Sequence, residues 1–149
     1  MNMDDLQPTL RILGYGGLLP FAGASAGVFL APDEALRATS LQALLVYAAV
    51  IASFLGALWW GQALCRTDLE PARRRGLLVS GVLPSLIAWL AVLAGGGRGL
   101  AMLGVLLLLV WRTDERWAVP LAYPPAWLRL RRELSVGAAV CVLLPLVVL

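Results

Sequence analysis

The chain has no histidine, only two cysteines, and charged side chains at just 14% of its 149 positions. All twelve basic residues are arginine, so lysine chemistry is absent as well. Without histidine the commonest metal ligand and the usual proton-transfer group near neutral pH are missing. Cys65 and Cys141 form no CxxC or Cys/His ligand pattern, which leaves no metal or redox framework. Both read as small apolar packing residues. Ordinary soluble domains carry about 25% charged residues and about 45–50% apolar ones. Here 60% of residues are hydrophobic and the mean hydropathy is +0.83. So little polar surface excludes a soluble domain of this length and makes bilayer the solvent. The net charge of +3 is too small to point to nucleic acid.

Long apolar runs, separated by short arginine-bearing loops, fill nearly everything else. A helix needs about 20 apolar residues to cross the hydrocarbon core. The pattern predicts an all-α, polytopic membrane bundle of one domain over 1–149, with five transmembrane helices at about 12–31, 41–64, 77–94, 99–111 and 126–149. The fourth, Gly99 to Trp111, has thirteen residues and reaches across only if Arg98 and Arg112 snorkel from its ends. The fifth becomes long enough if it starts at Pro124 or Pro125, since proline suits a helix start. Trp127, Leu130 and Leu134 then share one face, so 112–133 reads as a cytoplasmic interfacial segment running into a span.

Arginine placement orients the bundle. Arg11, Arg66, Arg73, Arg74, Arg75, Arg112, Arg116, Arg129, Arg131 and Arg132 fall on one side, against Arg37 and Arg98 on the other. The positive-inside rule puts the ten in the cytoplasm, with the N-terminus inside and the C-terminus outside. Tyr15, Trp59, Trp60 and Trp111 near the cytoplasmic span ends, and Trp89 toward the outer end of the third span, read as aromatic belts. Ala22-Gly-Ala24 and Ala24-Ser-Ala26 resemble signal cleavage sites, but the preceding segment carries Asp4 and Asp5 and has the wrong sign for a signal n-region. Cleavage is not expected.

The spans themselves offer shape more than chemistry. Ala48, Ala52 and Gly56 form a column of small residues at i+4 spacing, and Ala49, Ser53, Ala57 and Gly61 form an adjacent one. Gly23 and Gly27 give a shorter GxxxG. Such faces let helix backbones approach in lipid, either within the chain or against another membrane protein. Pro20, Pro84 and Pro145 recur in similar contexts in spans one, three and five. They are read as kinks, or as the broken helices from which transporters build midplane sites.

The polar groups Ser25, Tyr47, Ser53, Gln62, Ser80 and Ser85 have no His or carboxylate beside them to activate a nucleophile. Gly95-Gly-Gly-Arg-Gly99 lacks the Lys-Ser/Thr of a phosphate loop and reads as a tight hairpin. Asp114 and Glu115 lie next to Arg112 and Arg116, which favours charge pairing over metal binding. Arg73, Arg74, Arg75, Arg129, Arg131 and Arg132 are candidates for lipid headgroups. Nearby carboxylates leave each arginine-rich loop a net charge of only +2. No catalytic, cofactor or metal residue is expected.

The segments Leu13-Gly-Tyr-Gly-Gly-Leu-Leu-Pro-Phe21, Tyr47-Ala-Ala-Val-Ile-Ala-Ser-Phe-Leu-Gly56 with Trp60-Gly61, Gly81-Val-Leu-Pro-Ser-Leu-Ile-Ala-Trp-Leu90 and Pro125-Ala-Trp-Leu-Arg-Leu-Arg131 carry a family resemblance. In this order they resemble a family of small five-span membrane proteins of unknown function that includes the animal transmembrane protein 69. The resemblance implies an inner membrane, bacterial or mitochondrial, and no established activity. It also implies a basic or imidazole group before Trp60-Gly61, where this chain has Trp59.

Three readings follow. The first, and the one expected, is a non-catalytic accessory, stabilising or assembly subunit of the bacterial inner membrane, packing against a larger integral membrane complex, with homo-oligomers open. The second is a small solute transporter or channel, weakened by the lack of an intramembrane charge. The third is a lipid-phosphate enzyme using the arginine loops, for which no general base or metal cluster is evident.

Overall fold

The computed structural model describes residues 3–149, with side chains from Leu6 onward. Met1, Asn2 and the side chains of Asp4 and Asp5, part of the acidic segment weighed against signal cleavage, lie outside the described residues. The described residues form helices joined by short loops, with no strand among them. The helices are α1 (Met3–Gly16), α2 (Leu18–Leu30), α3 (Glu34–Cys65), α4 (Pro71–Ala94), α5 (Gly96–Trp117) and α6 (Pro125–Leu143). A 3-10 turn, Leu144–Val147, follows α6.

Local chemistry sets the boundaries. Asp33 caps α3 by accepting the Leu36 amide at 2.8 Å. Pro71 and Pro125 occupy the first positions of α4 and α6, where the missing N–H is harmless. Gly95 turns α4 into α5 at φ +61°, and Gly96 follows at φ +49°. Both angles favour glycine, so the glycine run is the tight hairpin expected.

Four helical stretches are long and apolar enough to cross a membrane: Leu6–Leu30 across the α1–α2 break, Glu34–Cys65, Pro71–Ala94 and Gly96–Trp117. One expectation changes here. The fourth span is not thirteen residues but a helix of 22, which at about 1.5 Å per residue covers about 33 Å. It continues past Arg112, because Thr113 bonds back to the Leu109 carbonyl, Asp114 is buried and Arg112 pairs with Glu115. The fifth stretch carries Arg129, Arg131, Arg132 and Glu133 in its first half and does not meet the same apolar standard.

α3 is the central helix, packed on α2, α4, α5 and α6. Its crossing with α4 is glycine on glycine. A Cβ at Gly56 would lie 2.5 Å from the Gly81 carbonyl oxygen, and one at Gly81 would lie 2.9 Å from that of Gly56. The small-residue column therefore divides. Ala48, Ala52 and Gly56 are buried inside this chain, with α4 against Gly56, so of the two readings this column serves packing within the chain and not a docking face for another protein. Ala49 and Ser53 are half-buried, and the Ser53 hydroxyl bonds back to the Ala49 carbonyl at 2.8 Å. Ala57 and Gly61 remain exposed, and nothing lies within 4 Å of a Cβ placed at Gly61. In α2, Gly27 is closed off by Ser40 while Gly23 is open.

The three prolines do not play one repeated part. Pro20 lies in the first turn of α2, just past the break at Gly17; Pro84 lies inside the unbroken α4; Pro145 sits in the closing 3-10 turn. At the break, Tyr47 donates to the Gly17 carbonyl at 2.9 Å and its ring meets Phe21 edge-on at 4.8 Å.

Candidate functional site: a buried aspartate–arginine pair

Each of three helices carries a buried stripe that includes a polar group. On α5 the stripe runs Leu100, Leu103, Leu107, Val110 and then Asp114, at alternating steps of three and four. On α6 it runs Val142, Ala138, Ser135 and then Arg131, at the same steps. On α3 it passes through Ala48, Ala52 and Gly56 to Trp59. This spacing keeps one face toward the neighbours, so the three polar groups are delivered to one point in the interior.

There the Asp114 carboxylate accepts three contacts. Trp59 Nε1 donates to Oδ1 at 2.8 Å, Arg131 Nε donates to Oδ2 at 2.7 Å, and Arg131 Nη2 lies 2.5 Å from the same oxygen. Asp114 and Trp59 are each 2% exposed and Arg131 5%. Arg131 Nη2 carries two hydrogens and both cannot face one oxygen; this nitrogen has no well-aligned acceptor. The guanidinium also lies 5.9 Å from the centre of the Trp127 ring.

The flanking loop closes over the pair. Arg66 holds the Leu121 carbonyl at 3.0 Å and pairs with Asp68 at 2.8 Å, which holds the Asp68 carboxyl below its usual range. Tyr123 in the same loop has its phenol pushed up to about 12, first by burial and then by the negative Asp114. Ala122 beside it takes φ +52°, a conformation that costs a non-glycine residue about 1 kcal/mol or more.

These placements correct two expectations. Arg131 does not hold a lipid headgroup: the helical turn that points Arg129 and Arg132 outward points Arg131 in. Asp114 does pair with arginine, but not with Arg112 or Arg116. Residues two apart lie on different faces of a helix, so Arg112 instead meets Glu115 at 3.0 Å. Of the other headgroup candidates, Arg73, Arg75, Arg129 and Arg132 are exposed, whereas Arg74 donates to the Ala63 carbonyl at 2.8 Å near the end of α3.

Trp59, Asp114 and Arg131 as a set were missed from the sequence. The partners are 55 and 17 positions apart. The usable signal was that Asp114 continues the Leu100-to-Val110 stripe of α5. Among the described residues no group of three or more Cys, Asp or Glu side chains could hold a metal ion.

Fold and site together define a helical membrane protein in which an ion pair joins α5 to α6 and a tryptophan hydrogen bond adds α3. Residues 6–147 match the sequence model of a family described as protein of unknown function (DUF3429), and the chain belongs to that family. No curated protein and no solved structure matches it.

Proposed function

We propose that this chain is a non-catalytic accessory subunit of the bacterial inner membrane, with five spans, the N-terminus in the cytoplasm and the C-terminus outside. In this reading it packs against a larger integral membrane protein and stabilises it or helps assemble it. One observation carries the reading. The second small-residue column of α3 ends on Ala57 and Gly61, uncovered on the outside of the bundle, while the first column is buried within it. Small residues on a lipid-facing helix are where a second backbone can come close. Trp59, Asp114 and Arg131 meanwhile bond to one another, as expected of a scaffold.

The test is co-purification in mild detergent of wild type, Ala57→Leu and Gly61→Leu. Both substitutions fall on open surface and leave the bundle intact. Loss of one constant membrane partner in the variants supports the reading, and unchanged recovery of that partner removes this face.

A transporter is the second reading, because a buried Asp114–Arg131 pair lies near the end of a helix long and apolar enough to span. Liposome flux that is absent in wild type would remove it.

A further inference from the structure

We propose that the seam between α1 and α6 holds one phospholipid, with its phosphate between Arg11 and Arg129 and an acyl chain in the apolar cavity beyond. The polar end of the seam is a cleft of about 200 Å³ lined by Gln7, Arg11, Ala126, Arg129, Leu130 and Glu133. Its charges are two arginines and one carboxylate, and Glu133 already accepts the Tyr15 hydroxyl. Among the described residues neither arginine makes an ion pair. The net charge of +1 matches the single negative charge of a phosphodiester, and arginine forks suit phosphate oxygens.

Further along the same two helices, where α1 breaks at Gly17, lies a cavity of about 150 Å³ lined by Leu13, Leu18, Phe21, Phe54, Leu55 and Arg131 among others. An apolar cavity of that size takes a ring or a short hydrocarbon segment. Leu13 and Phe54 are 70% and 60% exposed, so a longer chain can leave it toward lipid. Gly14 and Leu134 line this cavity where the two helices come close, with Leu134 Cδ1 2.7 Å from where a Cβ on Gly14 would stand. The two openings are offset by roughly 7–12 Å along the helices at about 1.5 Å per residue. That offset suits a phosphate and the upper part of its ester-linked chain.

The test is native mass spectrometry of the purified full chain in mild detergent, titrated with dioleoylphosphatidylglycerol, dioleoylglycerol or inorganic phosphate. Wild type should retain the phospholipid and hold dioleoylglycerol far more weakly. Millimolar inorganic phosphate should not displace the lipid. Arg11→Gln with Arg129→Gln should lower retention roughly thirtyfold, about five- to sixfold for each arginine near a phosphate. The exposed pair Arg73→Gln with Arg75→Gln should leave it unchanged. Ile51→Trp, which fills the apolar cavity, should lower retention with both seam arginines present.

Equal retention of the phospholipid and the diacylglycerol in wild type overturns the proposal without relying on any variant. So does an equal loss in the two arginine pairs, which would mean general attraction to anionic lipid. Displacement of the lipid by inorganic phosphate also overturns it, by making the cleft a site for a free anion.

Discussion

Replacing Asp114 by Ala tests the central pair most severely. The substitution leaves the Arg131 guanidinium buried without its counter-charge and removes the acceptor of Trp59 Nε1. Breaking one half of a buried ion pair costs about 3–5 kcal/mol. A stranded indole N–H adds about 1 kcal/mol, or less if the membrane value of about 0.6 kcal/mol per hydrogen bond applies. Asp114→Ala should therefore lose about 4 kcal/mol or more of the free energy that holds α3, α5 and α6 together. Asp114→Leu combined with Arg131→Met removes both charges while keeping volume, and leaves only the Trp59 N–H unpaired. That double variant should lose about 1 kcal/mol. The assay is reversible unfolding in mixed micelles, with a double-mutant cycle completed by Asp114→Leu and Arg131→Met alone. A loss below about 1 kcal/mol for Asp114→Ala would refute the reasoning. A double variant as unstable as the sum of its singles would do the same.

Further outcomes follow from the same geometry. Gly56→Ala puts a Cβ 2.5 Å from a backbone oxygen of α4 and should cost about 1–3 kcal/mol by overpacking. Gly61→Ala meets nothing and should gain about 0.5–1 kcal/mol of helix propensity; the two melting curves should shift in opposite directions. The raised Tyr123 pKa makes stability fully present below its ordinary value of 10.0 and lost as pH rises toward about 12. Alkaline unfolding followed by circular dichroism should show that loss in wild type and not in Tyr123→Phe. Trp59→Phe removes the donor to Asp114 and should cost about 1 kcal/mol while leaving the ion pair in place.

Much of the helical layout was legible because apolar runs, Gly95 and Pro125 act locally. Length alone misjudged α5. Counting stopped at Trp111 because Arg112, Asp114, Glu115 and Arg116 look like the end of a span in a list of letters. On a helix they separate by face, with Asp114 continuing the buried stripe and Arg112 meeting Glu115 on the outside. The arginines show the same limit. Arg129, Arg131 and Arg132 are one cluster in sequence, yet only the middle one turns inward. The destination of the Ala48–Gly56 column was likewise open until Gly81 was seen opposite it, because nothing in a small-residue repeat names its partner.

The accessory-subunit reading is tested most directly by isolating the tagged chromosomal protein in mild detergent and resolving it by native gel and mass spectrometry, beside Gly61→Leu. A larger membrane partner at constant stoichiometry, released by Gly61→Leu while the bundle stays folded, is the result predicted. A lone monomer or homo-oligomer in both preparations would contradict it.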